Sequence, residues 1–86
     1  MEDKIRTIVE EGAQEIRGAT TLRELEELRV KYIGKKGVLT SLLRSIGQLD
    51  PAERPRMGQL VNQAREELEK VLAQWGEKLA ERETQR

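Results

Sequence analysis

The sequence predicts an all-α fold: an antiparallel helical hairpin or coiled coil with a broken ascending arm and one long returning helix. Three observations lead there. Charged residues make up 37% of the 86 positions and Phe is absent, which is a composition of long surface helices with few strand formers. Apolar residues recur at helical spacing through nearly the whole chain. Finally, Gly and Pro cluster at a few points that divide the chain into four segments.

The first segment, about 2–17, carries Ile5, Ile8, Val9 and Ile16 on one stripe; Gly12 weakens it and Gly18 ends it. In the second, about 21–33, Thr21 and Glu24 form a capping-box pattern. Leu22, Leu25, Leu28 and Tyr32 then trace one face of an amphipathic helix. Gly34 to Gly37 interrupts it, because glycine inside a helix costs about 1 kcal/mol relative to alanine. The third helix, about 38–46, places Val38, Leu39, Leu42, Leu43 and Ile46 at helical spacing, closed by Gly47. Asp50, Pro51 and Glu53 then read as a cap, a first helical position and a capping-box partner for a single turn at 51–54. Pro55 starts a last helix over about 55–83.

That last helix has the clearest periodicity. Met57, Val61, Ala64, Leu68, Val71 and Trp75 step by 4, 3, 4, 3 and 4, a heptad seam widened by Leu60, Leu72 and Leu79. Thirty helical residues reach about 45 Å and cannot bury such a stripe alone. The stripes of 5–16, 22–32 and 38–46 are its available partners, and a short turn near Leu49–Pro55 would lay them antiparallel to it. The expectation is thus one helical-hairpin domain over 1–86, its tip near 33–56.

The formal net charge of zero conceals an uneven distribution. Residues 1–28 sum to −4 and residues 57–86 to −1. The middle third holds Arg29, Lys31, Lys35, Lys36, Arg44, Arg54 and Arg56 against Asp50 and Glu53, a balance of +5. A hairpin whose tip lies at 33–56 gathers these seven cations at one end. Such a patch suits contact with the phosphates of a nucleic acid and needs no pocket. With Tyr32 the one aromatic near it, recognition would follow shape and charge more than base sequence.

Other chemistries have little support. Without Cys or His there is no thiol chemistry, no imidazole catalysis and no zinc site with nitrogen or sulfur ligands. The many carboxylates read as solvated helix faces, and Thr40 and Ser41 have no general base to activate them. "GKKGVLT" has the wrong spacing for a nucleotide-binding loop and no preceding strand. Lys35 and Lys36 read either as solubilising residues of a turn or as a contact for one phosphate of a larger polyanion. Tyr32 and Trp75 read as residues of the seam. No apolar run is long enough for a membrane span and "MEDKIRTIVEEG" has no signal-peptide pattern, so a cytoplasmic protein with no membrane contact is expected.

The stretch "LEELRVKYIGKKGVLTSLLRSIGQLDPAERPRMGQLVNQAREELE", residues 25–69, resembles the N-terminal region of bacterial phenylalanyl-tRNA synthetase α subunits. Arg29, Tyr32, Gly34, Lys35, Lys36, Gly37, Leu39, Thr40, Pro51, Glu53, Arg54, Gly58 and Asn62 fit the family pattern, and Ile33 stands where leucine is usual. The resemblance implies a coiled-coil arm of an (αβ)2 phenylalanine–tRNA ligase that holds tRNA during aminoacylation. Its partners would be tRNA, the remainder of the α subunit and the β subunit. It implies no catalysis and no cofactor in this segment, with ATP and magnesium serving a catalytic domain elsewhere in the parent enzyme. The rival reading is a helix–helix interaction or self-association module with no nucleic-acid role, for which Leu60, Leu72 and Leu79 would supply exposed apolar surface.

Overall fold

The computed structural model describes residues 2–84; residues 1, 85 and 86 of the expected domain lie outside the described residues. Four helices follow one another: α1 (Glu2–Arg17), α2 (Leu22–Ile33), α3 (Val38–Ile46) and α4 (Arg54–Thr84). They form an all-α hairpin 54 Å long and 18 × 15 Å in cross-section. The returning arm is the unbroken α4, and α2 with α3 forms the interrupted arm opposite it.

Helix α1 departs from the expected arrangement, in which its stripe lay antiparallel to the long helix. Glu2 pairs with Arg56, Gly12 meets the Leu68 side chain, and the Ala19 carbonyl just past α1 accepts a 2.8 Å hydrogen bond from Trp75 Nε1. Both helices therefore advance together, and α1 is parallel to α4. The reason is connectivity. The turn at Gly18–Thr21 reverses the chain once before the hairpin turn reverses it again, so the first and last helices share a direction.

Local chemistry sets the boundaries. The Thr21 hydroxyl caps α2 by accepting from the Glu24 amide at 3.1 Å, while the Glu24 carboxylate accepts from the Thr20 amide at 2.8 Å and the Thr20 hydroxyl at 3.1 Å. The reciprocal half of the expected capping box thus falls one residue earlier than its usual place. At the hairpin turn the expected side-chain box at Asp50 and Glu53 does not form. The Asp50 backbone carbonyl instead accepts from the amides of Glu53 and Arg54, and α4 begins at Arg54, with Pro55 already inside its first turn.

The core runs the length of the molecule. From α4 it takes Val61, Ala64, Leu68, Leu72 and Leu79; from the other helices it takes Ile5, Ile8, Ile16, Leu25, Tyr32, Leu39, Leu42 and Ile46, with Ala19 from the first turn. Leu72 and Leu79 are buried and Leu60 is half-buried, so the apolar surface expected at these three leucines is spent inside the fold. Among the described residues the exposed large apolar side chains are Leu22, Val30 and Leu43 instead. The buried line of α4 also differs from a heptad seam, because Val71 and Trp75 sit at its margin. From Val61 to Leu79 the buried face keeps the period of about 3.6 residues of a straight helix.

Leu68 is fully buried at the centre of this core. We expect Leu68→Ala to lower unfolding free energy by about 2–5 kcal/mol, read as a shifted urea midpoint by circular dichroism. Trp75→Phe keeps most of the ring packing but leaves the Ala19 carbonyl without its donor, and a smaller loss of about 1–2 kcal/mol is expected in the same measurement.

Candidate nucleic-acid interface

The interruption between α2 and α3 is built from close backbone contacts. A side-chain carbon placed on Gly34 would lie 2.5 Å from the Val30 carbonyl oxygen, and one on Gly37 would lie 2.8 Å from the Tyr32 carbonyl carbon. Only glycine fits either position. The turn is tied by the Gly37 amide donating to the Gly34 carbonyl at 2.8 Å, and by the Thr40 hydroxyl donating to that same carbonyl at 2.8 Å. Tyr32 faces the core beside Gly12. Of the stretch Tyr32–Thr40, this leaves Lys35 and Lys36 as the exposed residues, and neither side chain has an ion pair among the described residues.

Tyr32 is the only tyrosine in the chain and is 4% exposed. Burial, then hydrogen bonding to and the charge of Glu15, then the charge of Glu11, push its hydroxyl up to about 12. Lys31 Nζ lies 5.3 Å from the ring centre. Buried in this way, the ring is a core residue and offers no stacking platform.

The structure does not gather the seven cations at one end. Tyr32, Gly12 and Leu68 share one level of the molecule, which puts Lys35 and Lys36 mid-shaft. At about 1.5 Å per residue, Leu68 lies about 21 Å along α4 from Arg54. Arg29 sits farther still from the hairpin turn, across from Glu69 and Leu72, whereas Arg54 and Arg56 are at the turn itself. The cations are thus spread over about 25 Å of the shaft's length, with Lys31 turned to α1 and Arg29 to α4.

Three of the seven are already held in ion pairs, and a fourth in a hydrogen bond. Arg29 holds Glu26 through a two-pronged ion pair, with Nε donating at 3.0 Å, and this hydrogen bonding keeps the Glu26 carboxyl below the usual range. Lys31 pairs with Glu15 at 3.1 Å and Arg56 with Glu2. Both of those acids belong to α1, so its parallel course lays the acidic first third beside the basic middle third. Arg54 donates from Nε to the Leu49 carbonyl at 3.0 Å. Lys35, Lys36 and Arg44 are exposed and have no ion pair among the described residues. Of the seven, these three are the most available to an external anion.

Among the described residues no cluster of three or more His, Cys, Asp or Glu side chains is arranged to hold a metal ion, and no helix is long and apolar enough to cross a membrane. Residues 20–86 match the family described as aminoacyl tRNA synthetase class II, N-terminal domain. The chain belongs to this family. It is similar to the phenylalanine–tRNA ligase alpha subunit of Moorella thermoacetica, 51% identical over 83 residues that cover 96% of this chain and 24% of the relative. The same named subunit of Desulforudis audaxviator is 48% identical over 73 residues, covering 85% and 22%, and that of Bacillus subtilis 40% identical over 83 residues, covering 96% and 24%. The chain spans about a quarter of the length of these relatives. The structure resolves Tyr32, Gly34, Gly37 and Thr40 into core, close-approach and hydrogen-bonding roles.

Two features escaped sequence reasoning. Gly12 reads as a weak point of α1, yet it lies on the buried line Ile5–Ile8–Gly12–Ile16 and lets Tyr32 and Leu68 close over it. Its place within the apolar stripe was the available signal. Thr40 carried no comparable one, because its acceptor is a backbone carbonyl six residues away.

The raised Tyr32 hydroxyl gives a pH prediction with a defined sign. The folded group holds its proton to a higher pH than the unfolded one, so its stabilising contribution is complete below pH of about 10 and disappears as pH rises from about 10 towards 12. Tyrosinate absorbance should titrate near the upper value in the folded chain and near pH 10 in denaturant, and Tyr32→Phe should flatten stability across that window relative to wild type.

Proposed function

We propose that this chain is a tRNA-binding coiled-coil arm of a phenylalanine–tRNA ligase α subunit, holding tRNA along its shaft through shape and phosphate contacts during aminoacylation. The observation that carries this reading is the group of unpaired cations, Lys35, Lys36 and Arg44, on a rigid helical rod of a tRNA-ligase family. The glycine turn fixes the two lysines to the body of the hairpin and does not present them on a loose loop. Arg54 adds a fourth cation nearer the hairpin turn. Arg29, Lys31 and Arg56 are secondary contacts, since each must loosen a carboxylate before it can serve a phosphate.

In this reading the arm supplies binding and orientation. Phenylalanine activation, with ATP and magnesium, belongs to the rest of a longer α subunit working with a β subunit in an (αβ)2 enzyme of the cytoplasm. The rival reading, a helix–helix module without a nucleic-acid role, loses its main support through burial of Leu72 and Leu79.

Phosphate binding releases counterions, so affinity for tRNA should fall steeply with salt. Lys35→Glu combined with Lys36→Glu should weaken tRNA binding by about tenfold or more at low salt and make the salt dependence shallower. Arg29→Gln, which removes a paired cation, should change affinity far less. Fluorescence anisotropy with a tRNA transcript reads both, and unchanged affinity in the double variant would remove the mid-shaft contact.

A further inference from the structure

Helix α4 is the longest element of the fold, yet it contains two glycines and an exposed asparagine. Gly76 has a packing reason, because an added side-chain carbon would lie 3.3 Å from Leu25. So does Gly12 on α1, where the same carbon would lie 2.9 Å from Leu68. Gly58 has none: a carbon added there meets nothing within 4 Å. Its backbone needs no glycine either, since no residue among those described has a positive φ. Glycine is nonetheless the least favourable helix residue after proline. Nothing inside the fold explains why the chain keeps that position bare.

The neighbours on the same face suggest an external reason. Positions 54, 58, 62 and 65 fall within an arc of about 80° on α4. They present Arg54, Gly58, Asn62 and Arg65, and the next residue in this arc is Glu69, the partner of Arg65. Asn62, one turn beyond Gly58, is exposed and its amide has no hydrogen-bond partner among the described residues. Asparagine is also a poor helix former, so two unfavourable choices stand together on one basic face with no return in packing. Arg65 is half exposed and 3.9 Å from Glu69, a loose pairing.

We propose that the Gly58–Asn62 face of α4 is a contact surface for the sugar–phosphate backbone of an RNA. Gly58 is left bare so that the backbone comes within van der Waals reach of the helix. This rests on the RNA-binding reading above and extends it to a second face of the arm. Asn62 supplies neutral donors and an acceptor to a ribose hydroxyl or phosphate, and Arg54 and Arg65 flank it with positive charge. The charge of the face favours a polyanion over a second apolar helix.

The test exploits opposite signs. Gly58→Ala improves helix propensity, so its melting temperature should rise by about 4 °C or more. The same variant should weaken tRNA binding by about fivefold, and Gly58→Gln by more, because the added atoms occupy the contact. Neither substitution changes charge, so plots of log affinity against log salt should shift in parallel, unlike those of the lysine variants. Wild-type affinity in both Gly58 variants overturns the proposal while leaving the mid-shaft contact standing. A changed sedimentation state of the free chain with RNA affinity intact assigns the face to a second copy and overturns it as well. A wild-type chain that binds no tRNA at low salt overturns the RNA-binding reading itself, and this inference with it.

Discussion

The buried face of α4 is the constraint on which the rest of the structure depends. A helix of this length in water must cover Val61, Ala64, Leu68, Leu72 and Leu79, each large side chain contributing roughly 1.5–3 kcal/mol when removed from solvent. No single short helix is long enough. The cover comes from two flanks: α1 on one side, and the α2–α3 pair on the other. The close approach at Gly12, where Leu68 and Tyr32 meet, joins the two flanks at mid-length. Breaking the arm at Gly34–Gly37 lets it follow α4 past this point and then re-aim α3 towards the hairpin turn.

The same packing decides the electrostatics. Because α1 runs with α4, its carboxylates lie beside cations far away in sequence, as in the Glu2–Arg56 and Glu15–Lys31 pairs. These are exposed pairs and contribute little to stability. Their larger effect is to sort the cations, occupying some and leaving Lys35, Lys36 and Arg44 available to an outside anion. A charge count along the chain cannot make that distinction. The cations that result are spread along an elongated rod, which suits an extended polyanion better than a compact ligand.

The two proposed surfaces differ in kind. At the α2–α3 break, glycine is forced by backbone proximity, and the lysines between the glycines are the residues left free. On α4 the logic is reversed: nothing forces glycine at 58, and its bareness is the feature that a partner would use. The first surface should be sensitive to charge and salt, the second to side-chain volume.

By itself the sequence determined the class of the fold, its helical segments and the mid-chain interruption, because these follow from local periodicity and from glycine and proline placement. The motif spanning Tyr32 to Thr40 was legible too, as was the structural role of Trp75, though not its hydrogen bond to Ala19. Tertiary structure alone decided the direction of α1, which depends on two chain reversals and not on any stripe. It moved the buried line of α4 from a heptad seam to the 3.6-residue period, since cover on two flanks removes the need for supercoiling. It also spread the seven cations along the shaft and paired three of them. Charge pairing across helices is a matter of distance in space, and one-dimensional spacing carries no record of it.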